Sequence, residues 1–340
     1  MHPLAVLLPI LLLDTTHAAT WRPLTPLPSA VGTHATVLLS PTQLVTIGGL
    51  AGEGTTDAVL LYDIPSNTWS PRSPIPTPLN HLNAASVNGK IYLLGGVLGA
   101  PIQGRSVTAD GWVYDPRQDR WTAVAPMPQA EARGSAAVGV HRDSGVIYLA
   151  GGVQGSEQGA LDIVSAYDTV RGEWISLPAR ARRMPAPRDH AGGVTVGGKL
   201  YVVGGRDAGV LKDTVFVLDM DDVDRGWREE EGEWARMPTA RAGLAVAALG
   251  KRIYTFGGEG NEEVASGVFN QTEVFDVERR VWERLGPMAE PRHGMSAVGV
   301  QGNCHGDGGG VIYIPGGSLE EGAHATSYFD AFYPWRNRQD

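Results

Sequence analysis

The sequence predicts an all-β radial repeat of six four-stranded units. Three observations carry that prediction. A Gly-Gly pair recurs at Gly48-Gly49, Gly95-Gly96, Gly151-Gly152, Gly204-Gly205, Gly257-Gly258 and Gly316-Gly317, a period near 50 residues. An aromatic or leucine followed by Asp recurs at Tyr62-Asp63, Tyr114-Asp115, Tyr167-Asp168, Leu218-Asp219, Phe275-Asp276 and Phe329-Asp330. A tryptophan follows that Asp by six residues at Trp69, Trp121, Trp174 and Trp282.

Each unit then reads as four short strands, a to d, because runs of β-branched and aromatic residues alternate with turn signals. The clearest copy spans 186–238. Strand a is AGGVTV, a Gly197-Gly198 turn follows, and strand b is KLYVVGG. Strand c is TVFVLD, and Trp234 is expected to mark strand d after an inserted acidic segment, 221–233. The strand a copies are rich in Ala, Gly and Ser, as at Ala84–Ser86, Ser135–Ala137 and Ala245–Ala248, which suits the crowded centre of a ring. The glycine pairs end strand b, where the backbone needs an unusual φ or a close approach to a neighbour.

These motifs resemble the kelch repeat, and the resemblance covers nearly all of the chain after the first 19 residues. It implies a six-bladed β-propeller, one four-stranded blade per repeat. Thr20-Trp21 followed by Pro26-Leu27-Pro28 repeats the pattern Thr68-Trp69 followed by Pro74-Ile75-Pro76. The N-terminal strand, about 20–28, is therefore expected to supply strand d of blade six and close the ring, which removes two open sheet edges. Trp335 is the rival for that place.

The bulk numbers exclude some functions. The chain has 340 residues and a net charge of -9, so it lacks the basic surface that nucleic acid requires. The short apolar run Leu4–Leu13, with small residues at Ala18 and Ala19, reads as a secretory signal over residues 1–19 and predicts a secreted chain or one in the secretory lumen. No stretch is long enough to span a membrane. Cys304 is the single cysteine, so no internal disulfide forms, and Asn270-Gln271-Thr272 is a glycosylation acceptor in a predicted loop. A monomer is expected.

Function on such a scaffold belongs to its loops. One face gathers the b–c loops and the segments leading into strand a. The lead-in segments carry Arg133, Arg188, Arg241 and Arg292, with Asn80 at the matching place in blade two, and His34, His81, His190 and His293 nearby. The functional reading is a basic ring at the pore mouth that binds a carboxylate or polyhydroxylated ligand, with His190 or His293 as acid or base. The plainer reading is that an arginine shared by several repeats pairs with a carboxylate inside its own blade, and the repetition favours it.

A metal site built from His34, His293 and His324 is the sharper idea, since blades six and one are neighbours in a closed ring. No short ligand spacing supports it. Residues 303–307, Asn-Cys-His-Gly-Asp, form a second cluster on the opposite face. No cofactor is implied. Some secreted kelch propellers that resemble galactose oxidase hold copper through a crosslinked cysteine, and Cys304 is wrongly placed for that role. Bacterial sialic-acid epimerases resemble this chain in fold without a shared motif, and kelch-like proteins of similar size are encoded in fungal secondary-metabolite clusters, where an Arg-rich, Lys-poor chain with a single Cys fits. The expected function is a binding or interaction protein for a small molecule, carbohydrate or protein partner. The alternative is an accessory or non-redox enzyme of isomerase or epimerase type in small-molecule or fungal secondary-metabolite biosynthesis, ahead of a galactose-oxidase-like oxidase.

Overall fold

The computed structural model describes residues 19–52, 54–99, 106–155, 159–232, 235–302 and 309–334. Six four-stranded antiparallel sheets stand around a central channel. Strands a to d of blade one are Ala35–Ser40, Gln43–Ile47, Val59–Asp63 and Thr68–Arg72. Blade two has Ala84–Val87, Lys90–Leu98, Ser106–Asp115 and Arg120–Val124. Blade three has Ala137–His141, Val146–Ala150, Leu161–Asp168 and Glu173–Ile175, and Arg183–Arg188 adds a fifth strand against its strand c. Blade four has Gly192–Val196, Lys199–Val203, Val215–Asp219 and Trp227–Glu229. Blade five has Ala245–Leu249, Arg252–Phe256, Thr272–Asp276 and Val281–Arg284. Blade six has Val298–Gln301, Gly310–Pro315 and Phe329–Tyr333, and takes Thr20–Pro23 as its outer strand. Among the described residues no helix is long and apolar enough to cross a membrane.

The N-terminal strand closes the ring as expected. Trp21 stands opposite Phe332, as Trp69 stands opposite Tyr62 in blade one. That register corrects one motif. In blades one to five the residue facing the tryptophan is followed by Asp at the end of strand c, but in blade six the matching pair is Phe332-Tyr333. Phe329-Asp330 lies at the start of the strand instead.

Blade four needs a second correction. Trp227 faces Leu218 and marks strand d, so Trp227–Glu229 within the acidic segment is strand. Glu230 is buried and faces Arg228 at 3.2 Å and Arg280 of blade five at 3.6 Å. Trp234, Trp335, Cys304 and the other residues of 303–307, together with the signal segment up to residue 18, lie outside the described residues.

Six hydrophobic clusters hold the ring together, one at each blade–blade interface. The strand d tryptophans also reach backwards. Trp69 Nε1 donates to the Thr25 carbonyl, Trp121 to Ser73, Trp174 to Ala125, Trp227 to Ala181 and Trp282 to Ala235, at 2.9–3.2 Å. Each of these bonds ties one blade to the outer edge of the blade before it. Aromatic bodies with a polar tip suit that position, half packed and half hydrogen-bonded.

The glycine pairs do the same near the axis. All twelve glycines have positive φ, from 55° at Gly257 to 151° at Gly96, a region that L side chains rarely adopt. The second N–H of the pair donates into the next blade, from Gly152 to the Arg188 carbonyl at 2.8 Å and from Gly258 to the Arg292 carbonyl at 3.0 Å. A Cβ on Gly152 would lie 2.4 Å from the Gly134 carbonyl oxygen. Both expected reasons for the glycines, unusual φ and close approach, are present at once.

Candidate functional site at the channel mouth

The four lead-in arginines do not face the channel. Arg133, Arg241 and Arg292 are fully buried, and Arg188 nearly so. Each is committed to its own blade. Arg241 bonds Glu273 at 2.6 Å and Thr255 Oγ1 at 2.8 Å. Arg292 bonds Asp330 at 2.5 Å and the Gly316 carbonyl at 2.8 Å. Arg133 bonds Ser165 Oγ at 2.9 Å, and Ser165 in turn bonds Glu131. Arg188 bonds Thr214 Oγ1 at 2.6 Å, with its guanidinium over the Phe216 ring. This corrects the expected basic ring at the pore mouth. The plainer reading holds: these arginines are blade architecture.

A pattern in strand c explains the pairing. The partners Ser165, Phe216, Glu273 and Asp330 all stand two residues before the residue that faces the strand d tryptophan. In blade two that place is Trp112, and the residue matching the arginines is Leu79, whose carbonyl receives the Gly49 N–H. Leu79 and Trp112 share one apolar cluster. So Asn80 is not the blade two counterpart of the arginines; it sits one residue later. An arginine goes with a partner that accepts it, and a leucine goes with an apolar one. Burial lowers the basicity of Arg133, Arg188 and Arg241, and for Arg241 the Glu273 charge opposes that effect.

What lines the mouth lies two residues after the arginine. Thr33, His81, Ser135, His190, Gly243 and Gly294 occupy one equivalent position per blade, all with φ between 47° and 61°. Their backbones join head to tail: His81 N–H to the Thr33 carbonyl at 2.9 Å, Ser135 to His81 at 2.8 Å, Gly243 to His190 at 2.9 Å, Gly294 to Gly243 at 2.9 Å and Thr33 to Gly294 at 2.6 Å. The result is a backbone collar around the axis, joined at five of its six steps and open between Ser135 and His190. It shows no signature in sequence, because what the position requires is a φ and not a side chain.

On this collar sits a charged chain that crosses three blades. Asp189 Oδ1 accepts from His190 Nδ1 at 2.6 Å and from Arg206 Nε at 2.9 Å. Arg206 Nη1 reaches Glu259 Oε1 at 2.8 Å, and Glu259 Oε2 lies 3.0 Å from His293 Nδ1. His293 Nε2 lies 2.8 Å from the Glu320 carbonyl. Both partners of His293 are acceptors, so both ring nitrogens donate and the imidazolium is favoured. Burial alone would lower its pKa, but the Glu259 hydrogen bond and charge raise it overall. Burial would likewise raise the Glu259 carboxyl, yet the His293 hydrogen bond and the neighbouring His293 and Arg206 charges hold it well below its ordinary value. The His190 ring also packs edge-on against His81, with centroids 4.9 Å apart.

Below this mouth the channel has a volume of about 1150 Å³, lined by strand a of all six blades. Its wall is mostly small or aliphatic, with Val138, Val194, Val246 and Ala248 half-buried along it.

The structure does not bring the expected metal ligands together. Among the described residues no group of three His, Cys, Asp or Glu side chains has the geometry to hold a metal ion. His324 is exposed and pairs with Glu320 at 2.8 Å, while His293 is used as described. His34 is buried against the Gly316 turn, in the place that Leu82, Leu244 and Met295 fill against the glycine turns of other blades. Neither of its ring nitrogens makes a well-formed hydrogen bond among the described residues, although the Pro315 carbonyl bears on it. Burial, and then the Arg292 charge, lower its pKa to about 4, so it is a neutral core residue. Asn270 is exposed, just before strand c of blade five.

Fold and collar together define a closed six-bladed propeller whose axial channel is polar at one mouth. The chain belongs to the kelch-repeat family: residues 83–317 match the KLHDC2/KLHL20/DRC7 Kelch-repeats domain. It is 35% identical over 316 residues to Kelch-like protein terF of Aspergillus terreus, covering 88% of this chain and 64% of that protein. It is 29% identical over 259 residues to human Kelch-like protein 34, covering 72% of this chain and 37% of that one. It is 25% identical over 243 residues to Beta-scruin of Limulus polyphemus, covering 69% and 25%. The chain thus spans from a quarter to just under two thirds of these relatives' lengths. Among solved structures it resembles YjhT, with a TM-score of 0.69 at 17% identity, covering 89% of this chain and 95% of that one, a likeness of fold alone.

Proposed function

We propose that this kelch propeller is a binding protein that takes a small molecule into its axial channel through the mouth formed by the b–c loops. One observation carries the reading: an aliphatic channel of about 1150 Å³ is overlooked at one mouth by His81, His190, Arg206, Glu259 and His293. An apolar pocket with a few convergent polar groups is the usual form of a small-molecule site. The test is a thermal-shift screen of the purified chain and of Val138→Trp, which fills the channel. A ligand at a hundred times its dissociation constant stabilises the fold by about 2.7 kcal/mol. Ligands that stabilise the native chain but not the filled variant support the reading. Ligands that stabilise both equally refute it.

A protein partner is the second reading. Val210 and Val264 are large exposed apolar residues, and both line a groove between the b–c loops of blades four and five. Kelch domains commonly serve protein interaction. Pull-down of a defined partner by the native chain, lost in a Val210→Asp, Val264→Asp variant, would favour this use.

We further propose that the chain passes through the secretory pathway. The apolar run Leu4–Leu13 and the small residues Ala18 and Ala19 support this, and removal of residues 1–19 would leave the closing strand Thr20–Pro23 whole. N-terminal sequencing of the protein from a eukaryotic secretory host should begin at Ala19 or Thr20. A product that keeps Met1 would refute it.

A further inference from the structure

The charges at the channel mouth cancel internally, and this restricts the ligand. Arg206 spends Nε on Asp189 and Nη1 on Glu259, and its Nη2 lies 3.4 Å from His190 Nδ1. His293 spends one nitrogen on Glu259 and the other on the Glu320 carbonyl. Two cations therefore face two carboxylates, and both carboxylates bridge. An arriving anion would meet Asp189 and Glu259 beside each cation it sought. The four lead-in arginines lie buried inside the blades and add no available donor. Farther out, Glu321 and His324 also line the mouth, and His324 is paired with Glu320.

One ring nitrogen at this mouth is left as a neutral acceptor. His190 Nδ1 sits 2.6 Å from the Asp189 carboxylate, which fixes the proton on Nδ1 and leaves the lone pair on Nε2. Nε2 has no partner among the described residues, and the ring lines the channel although its side chain is only 9% exposed. Beyond it the wall hydroxyls are partly spent: Thr195 Oγ1 accepts the Val140 N–H, and Ser296 Oγ donates to the His34 carbonyl. The rest of the described wall is largely Ala, Gly, Val and Leu.

Resting on the axial-site reading above, we infer that the ligand is an uncharged, mostly apolar molecule that places a hydroxyl donor, phenolic or alcoholic, on His190 Nε2. The apolar body fills the channel and the hydroxyl meets the free imidazole nitrogen. At this mouth a carboxylate finds each cation already held by Asp189 or Glu259 and loses its hydration, and Arg142 lines the opposite end of the channel. A methyl ether keeps the body and loses the donor.

The test uses three probes on one ring system at pH 7: 2-naphthol, 2-methoxynaphthalene and 2-naphthoate, titrated calorimetrically into the whole chain. The expected order is naphthol about tenfold tighter than the ether, the size of one hydrogen bond, with naphthoate weaker than both. His190→Phe keeps a ring in place and removes Nε2. It should reduce the naphthol-to-ether ratio to near one while leaving the ether unchanged, and an unchanged melting temperature shows that the variant is folded. Naphthoate binding as tightly as naphthol overturns the charge argument. Equal binding of naphthol and ether to the native chain overturns the role of His190, as does a ratio that survives His190→Phe. No binding of any probe overturns the inferred ligand class. Binding of all three that persists in Val138→Trp instead overturns the axial site itself, so the two failures are distinguishable.

Discussion

Arg241 and Glu273 form an ion pair at 2.6 Å with both side chains fully buried, deep in blade five. Thr239, Thr255 and the Gly257 carbonyl complete the guanidinium's bonds. Such a pair is weak evidence of net stabilisation, but losing one member strands a buried charge. Arg241→Ala is expected to destabilise by about 3–5 kcal/mol in chemical denaturation. The double change Arg241→Leu, Glu273→Leu should recover most of that loss, because blade two already runs Leu79 against Trp112 at the same places. Equal loss in the single and double variants would refute the pairing.

His34 should be better replaced than kept. It occupies a slot that Leu82, Leu244 and Met295 fill elsewhere, and burial depresses its pKa to about 4 from the ordinary 6.5. Below pH 6.5 the unfolded chain therefore binds a proton that the folded chain refuses, and stability falls until about pH 4. That shift corresponds to about 3 kcal/mol. His34→Leu is expected to remove this dependence and to match or exceed the native stability at pH 5. Denaturation of both proteins between pH 7 and pH 4 measures it. Parallel curves would show that His34 does not titrate as described.

The Glu259–His293 contact has the opposite sign. Its raised imidazole pKa means that its stabilisation is complete below pH 6.5 and is lost as the pH rises through the folded value. In Glu259→Gln the His293 titration, followed by imidazole NMR, should move down. An unmoved titration would assign the raised value to another group.

Gly152→Ala tests the glycine pairs. A methyl there meets the Gly134 carbonyl oxygen at 2.4 Å on a backbone with φ of 103°. Destabilisation of at least about 2 kcal/mol is expected from strain of both kinds. Gly197→Ala, with open space around its Cβ and φ of 54°, should cost less, about 1 kcal/mol. Urea denaturation ranks the two, and a reversed order would refute the crowding argument.

The repeat was legible because glycine pairs and tryptophans are constrained chemically: few residues replace a left-handed glycine or an indole that both packs and donates. Closure by Trp21 was legible for the same reason. Blade four misled because Trp227 and Trp234 both offered an indole within one insertion, and only pairing with Leu218 decides between them. The arginines misled in part: their repetition was visible, but their direction depends on a residue some 30 positions away, such as Ser165 for Arg133. The histidines were found, yet the Asp189–Arg206–Glu259–His293 chain spans 104 residues of sequence and forms only when three blades meet at the axis.

Thr20 pairs with Tyr333 across 313 residues. At 5–20 residues per second of synthesis, the first strand waits about 15–60 s for its partner to be made. Until then blade six has no outer strand, and Trp21 lacks Phe332, one of the two rings it packs on. The ring thus cannot close before Phe329–Tyr333 is made: a chain that stops before Phe329 leaves one blade without its third and fourth strands and exposes a sheet edge on each side of the gap.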